Sequence, residues 1–175
     1  MMATTEWEQR LAAAWDSLGG IADDDEAAGA AFRARIDALA DELPAGTGIA
    51  YFERACAFDS TGHSDLAVPL YREALALGLT GLRRRRAVIQ LASSLRNVGH
   101  PEESVALLTA ELTRDETDPQ AADLRMAAHC VLALALTSLG RDREAVGLLI
   151  GAVAPTLPRY QRSMANYARL LVEPT

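Results

Sequence analysis

Three histidines, two cysteines, a run of four acids and a run of four arginines are the groups in this 175-residue chain whose chemistry reaches beyond packing. His63 and His100 each follow a glycine at the same place in two similar stretches, which makes them turn residues rather than ligands. His129 lies in an apolar stretch, where a satisfied core histidine is the expected role. Cys56 and Cys130 make no metal-type spacing, and neither has a histidine beside it in sequence to lower its pKa, so both read as small buried thiols. No GxSxG, P-loop, GxGxxG or HExxH pattern is present. The expectation is a protein with no catalytic residue, no metal site and no cofactor, and not an enzyme.

The two charge runs read differently. Asp23, Asp24, Asp25 and Glu26 fall where a helix begins, and the macrodipole favours negative charge in a first turn. A solvated helix start accounts for them. Arg83, Arg86, Gln90, Ser93 and Asn97 are spaced 3, 4, 3 and 4 residues apart, so they share one helical face. Guanidinium and amide groups in such a stripe can hold the backbone carbonyls and carboxylates of an extended peptide through paired N–H donors. The plainer reading also stands. Four successive arginines, Arg83 to Arg86, point in four directions, so at least two should face solvent or pair with acids elsewhere.

Composition says what must position these groups. Half the residues are hydrophobic, mostly Ala and Leu, and only 5% are aromatic. Both dominant residues lose little side-chain freedom in a helix, and no stretch alternates as a strand would. A chain of this length suits one domain, residues 1–175, and buries enough surface to fold without disulfide or metal. The net charge is -7, with ten of the 24 acids in residues 1–45, and every cation is Arg. An acidic chain is a poor candidate for nucleic-acid binding, which depends on neutralising phosphates. The start lacks the basic-then-apolar build of a signal peptide, and the longest apolar run, Cys130 to Leu136, is too short to span a bilayer. No membrane association is expected, and the cytoplasm is the expected location.

Periodicity places a helical pair over residues 5–43. Trp7, Leu11, Trp15 and Leu18 stripe the first helix, which Thr5 and Glu8 would cap. Phe32, Ile36, Leu39 and Leu43 stripe the second, opened by Asp23 with Glu26 and stopped by Pro44. From residue 47 to residue 154 the pattern repeats three times as helix, Gly turn, helix. The turn glycines are Gly62, Gly99 and Gly140. Each hairpin must stack on a neighbour to bury its faces. A long helix is expected from Pro119 to Leu139, buried between its neighbours, and a tolerated irregularity at Pro69. A last helix, within residues 157–173, should cap the array, with Tyr160, Met164, Tyr167 and Leu171 on one face.

At Tyr51, Ala55, Phe58, Gly62, Ala67, Tyr71 and Ala74 the chain resembles the tetratricopeptide-repeat family, and residues 47–154 carry the resemblance through, with Val and Leu replacing later aromatics. A short bacterial branch of the family is the nearest in kind. The resemblance implies an all-α solenoid, a right-handed superhelix of antiparallel helix pairs with a C-terminal capping helix. It implies a scaffold or adaptor whose concave groove, lined by the first helix of each pair, binds a protein or peptide partner. Transferring that geometry puts Phe52 and Asp59, then Arg83, Arg86, Gln90, Ser93, Arg96 and Asn97, then Leu134 and Thr137 on the groove wall. The family's clamp for the carboxylate of chaperone tails is absent, since Phe52, Cys56, Gln90, Ala127 and Val131 stand at its positions. The alternative is a structural module that forms a homodimer and leaves no open groove.

Overall fold

The computed structural model describes residues 2–22 and 24–173, with side chains from Glu6 onward. Among these residues there are helices and turns and no strand. They divide into two compact units, residues 1–90 and 91–175, and the helix α5 supplies residues to both.

The first unit begins with α1 (Met2–Asp16), a short 3-10 turn (Ser17–Gly20) and α2 (Glu26–Ala40). Trp7, Leu11 and Ala14 of α1 bury against Phe32, Ile36 and Leu39 of α2, the face that the 3.6-residue period marks. The Trp7 indole Nε1 donates to the Leu39 carbonyl at 2.8 Å, which satisfies its one polar atom in the core. The first helix starts four residues earlier than its sequence pattern suggests, and the side chain of the expected cap Thr5 lies outside the described residues. Asp23, the expected opener of α2, also lies outside them; Asp25 caps that helix, its Oδ1 accepting from the Ala28 N–H at 3.0 Å.

Next come α3 (Gly48–Asp59) and α4 (Ser64–Ala76), and then α5 (Gly81–Asn97). Ala55, Ala67 and Ala74 are fully buried where α3 and α4 cross. Gly48 belongs to the same crossing: a Cβ there would sit 2.9 Å from the Ala74 carbonyl oxygen. Pro69 lies on the exposed side of α4, which runs unbroken through it.

The second unit holds the end of α5, α6 (Pro101–Leu112), the short α7 (Pro119–Asp123), α8 (Arg125–Ser138), α9 (Asp142–Val153) and α10 (Gln161–Val172). The repeat is visible in its turns. Gly62, Gly99 and Gly140 all have positive φ, at 83°, 88° and 70°. The next residue in each turn donates its N–H to a carbonyl five residues back: His63 to Phe58, His100 to Leu95, Arg141 to Leu136. That bond and the left-handed glycine make one helix-ending motif used three times. Ala67, Ser104 and Ala145 are the equivalent buried small residues of the following helices.

Two expectations for this unit need correction. The helix foreseen from Pro119 to Leu139 is broken at Leu124 into α7 and α8 and is not buried all round, since Leu134, a residue placed on the groove wall, is half exposed. Residues Pro119–Ser138 are long and apolar enough, by length and composition alone, to pass as a membrane span. Here α8 packs on both α6 and α9, and Leu132 and Leu136 go into the core. The last helix begins at Gln161, after Tyr160 takes a left-handed backbone at φ 66°. It docks on α9 through Ala168, with Met164 and Leu171 half-buried, while Tyr160 and Tyr167 point to solvent. Gly147 of α9 permits the approach, since a Cβ there would lie 3.0 Å from the Ala168 carbonyl oxygen.

Candidate functional site

Within residues 1–90, Arg83, Arg86 and Gln90 of α5 meet Glu53, Phe52 and Cys56 of α3. Arg83 is already engaged. Its Nη2 donates to both carboxylate oxygens of Glu8 on α1, at 2.9 and 2.8 Å, and its Nε donates to Glu53 of α3 at 3.3 Å. Glu53 also accepts from the Trp15 indole at 3.0 Å. Glu53 is a buried carboxylate, 2% exposed. Burial raises its pKa, opposed by the Trp15 hydrogen bond and by the charges of Arg83 and Arg86.

Arg86 behaves differently. It is exposed, and its guanidinium carbon stands 5.2 Å from the centre of the Phe52 ring, a cation–π contact. It makes no hydrogen bond or ion pair with a described residue. Phe52 itself is fully buried, so it is the platform under Arg86 rather than the accessible apolar wall the sequence suggested. Gln90 is half-buried and accepts from the Cys56 thiol at 3.4 Å. Burial, and then the charge of Glu53, push that thiol up to about 12, which keeps it protonated and inert. Asp59 accepts from the Tyr71 hydroxyl at 3.4 Å and from Ser64 at 3.2 Å. It serves the end of its own hairpin, and burial raises the Tyr71 hydroxyl.

The rest of the stripe lies in residues 91–175. Ser93 is half-buried, Asn97 is exposed, and Arg96 donates to the Asn97 amide oxygen at 2.9 Å. On α8, Leu134 is half exposed, and the exposed Thr137 spends its hydroxyl on the Ala133 carbonyl at 3.0 Å.

The four arginines differ, and Arg83 pairs with acids as the plainer reading allows. Arg85 is fully buried, Arg83 and Arg84 are half-buried, and only Arg86 is exposed. The long side chain lets a guanidinium travel to a carboxylate while its stem packs, as Arg83 does toward Glu8 and Glu53. Two further corrections concern thiol and imidazole. Cys130 is exposed, not buried. His129 is half-buried on α8, its Nδ1 2.8 Å from the Arg125 carbonyl oxygen, and so is not a core residue. The acids that engage Arg83 are not marked as its partners in the sequence, because Glu8, read there as a helix cap, and Glu53 lie 75 and 30 residues away. The one available signal was Glu53 itself, an acid among the apolar residues of a core helix.

No group of three or more metal-ligating side chains occurs among the described residues. The family model of the tetratricopeptide repeat matches residues 48–171. Comparison with curated proteins and with solved structures gave no match.

Proposed function

The chain belongs to the tetratricopeptide-repeat family, and from that membership we propose that it is a protein-interaction scaffold that grips a partner segment at the exposed Arg86 of α5. Repeats of this family generally mediate protein–protein interaction. The observation that supports the finer reading is Arg86, a cation held in place by the Phe52 ring beneath it with its N–H donors open. Arg83 next to it is spent on Glu8 and Glu53. A guanidinium already stacked on an aromatic face loses less freedom when it takes a carboxylate or backbone carbonyl. The partner surface this suits is extended and acidic or carbonyl-rich.

Partner recovery from the native cell by affinity capture, followed by titration of the purified partner, tests the reading. Arg86→Glu should weaken binding at least tenfold, about 1.4 kcal/mol. Arg86→Lys should lose part of the affinity, because Lys keeps the charge but not the fork. An unchanged Kd for Arg86→Glu would remove α5 from the interface.

A second reading, self-association, has its own support. Tyr167 and Leu170, about one turn apart on α10, and Tyr160 just before it are large exposed apolar side chains. Single exposed apolar residues are ordinary, but neighbouring ones on one face can mark an interaction surface. Sedimentation of the wild type and of Tyr167→Arg with Leu170→Arg separates the two. A dimer that becomes a monomer in the double variant favours self-association, and a wild-type monomer rules it out.

A further inference from the structure

Within residues 91–175, α6, α8, α9 and α10 surround a depression of about 850 Å³. Its apolar lining comes from Val105, Leu112, Leu132, Leu136, Leu148 and Val172. The charged groups around it are mostly cationic: Arg125, Arg141 and Arg169, against Glu144. A second depression of about 660 Å³ shares Arg125, His129, Gly147 and Leu148 with the first. Arg125 and His129 therefore border both the larger trough and its neighbour.

Two features of this trough bear on what it takes. It is open to solvent. A small ligand is ordinarily buried over most of its surface. An amphipathic helix needs only one side covered and keeps the other in water. From Arg125 to Leu136, α8 advances about 16 Å, the length of three turns of a docked helix.

The second feature is charge. Residues 125–172 carry six arginines against only Asp142 and Glu144, in a chain whose net charge is -7. Arg141 pairs with Glu144 at 2.8 Å, and Arg169 pairs with Glu173. Both pairs are surface pairs between neighbouring turns, so an incoming carboxylate displaces them at little cost. The guanidinium of Arg125 has no hydrogen bond or ion pair with a described residue. We propose that this trough docks an amphipathic helix of a partner protein that carries acids beside its apolar stripe, with Arg125 as the ion-pairing anchor.

The proposal shares the interaction reading of the chain but uses a surface other than Arg86, so the two fail separately. The probes are two synthetic helical peptides ~18 residues long. Both carry Leu at i, i+3, i+4 and i+7, one with flanking Glu and the other with flanking Lys. Fluorescence anisotropy with the full chain should show the Glu peptide binding at least about tenfold tighter than the Lys peptide. Arg125→Glu should lose at least that factor. Thr109→Trp, which adds bulk at an exposed position in the wall, should weaken both peptides. Arg86→Glu should change nothing. Equal binding of the two peptides, or full binding by both Arg125→Glu and Thr109→Trp, overturns the proposal. So does failure of both peptides while dodecanoate binds, which would make the trough a small-molecule site.

Discussion

Arg83 and Glu8 are 75 residues apart in sequence, yet one nitrogen of the guanidinium donates to both oxygens of the carboxylate, at 2.9 and 2.8 Å. The same side chain reaches Glu53, so α1, α3 and α5 share a single cation. The two carboxylates are not equivalent. Glu8 is partly exposed and Glu53 is buried.

The difference predicts unequal mutants. Glu8→Gln removes a partly solvated pair and should cost less than about 1 kcal/mol in chemical denaturation. Arg83→Gln leaves Glu53 buried without its closest cation and should cost about 1–3 kcal/mol. Equal losses, or a larger loss at Glu8, would show that Arg83 does not serve the buried acid.

Glu53 also gives a pH signature. Burial holds its folded pKa above the ordinary 4.5, so the native state keeps a proton that the unfolded chain has already lost. Its contribution to stability is therefore largest below that ordinary value and declines as the pH rises through the folded value. The exposed Glu26 and Glu42 run the other way, because hydrogen bonds from Arg33 and Arg10 lower them. Their contribution is lost as the pH falls. Subtracting the stability of Glu53→Gln from that of the wild type, from pH 4 upward, isolates Glu53. The difference should fall with rising pH; a flat or rising difference contradicts the burial argument.

Ser104 stands where the other two hairpins have Ala67 and Ala145, and its buried hydroxyl has no hydrogen-bond partner among the described residues. Ser104→Ala should therefore stabilise, by about 1 kcal/mol or a rise of roughly 2–4 °C in Tm. Ala67→Leu should do the opposite and cost about 1–3 kcal/mol, because the crossing has no space for a branched side chain. Calorimetry of the two variants decides both, and a destabilised Ser104→Ala would mean the hydroxyl is satisfied in solution.

The docking of α10 rests on Gly147. Ala is the better helix former by about 1 kcal/mol. A Cβ at this position would still meet the Ala168 carbonyl oxygen and Val172 at 3.0 Å each. Gly147→Ala should lose stability on balance and raise the hydrogen exchange of residues 161–172 above that of α8. Unchanged exchange there would show that α10 is not held by this contact.

Much of this fold is legible in the sequence because its signals are local. The 3.6-residue period of Trp7, Leu11, Phe32 and Ile36, and the turn glycines Gly62, Gly99 and Gly140, act within a few residues. Family-type positions such as Ala67 and Tyr71 carry the hairpin crossing for the same reason. The site is less legible. The face shared by Arg83, Arg86 and Gln90 follows from spacing, but their different fates do not. Arg83 is spent on acids from α1 and α3, Gln90 on a buried thiol, and Arg86 is left on an aromatic ring. Those partners are set by which helices stack together, which no local pattern records. Phe52 was misassigned for a related reason: a helix-wheel position names a direction, not what already covers it.

Titration of the purified native partner into wild-type protein and into Arg86→Glu tests the central claim most directly. The account predicts a Kd at least tenfold weaker for the variant, about 1.4 kcal/mol, with helicity and Tm nearly unchanged because an exposed charge contributes little to folding. Raising the salt should weaken the wild-type complex more than the variant's, since screening acts on the charge the variant lacks. A variant that binds as tightly as the wild type, with the same salt dependence, would contradict the account and move the interface away from α5.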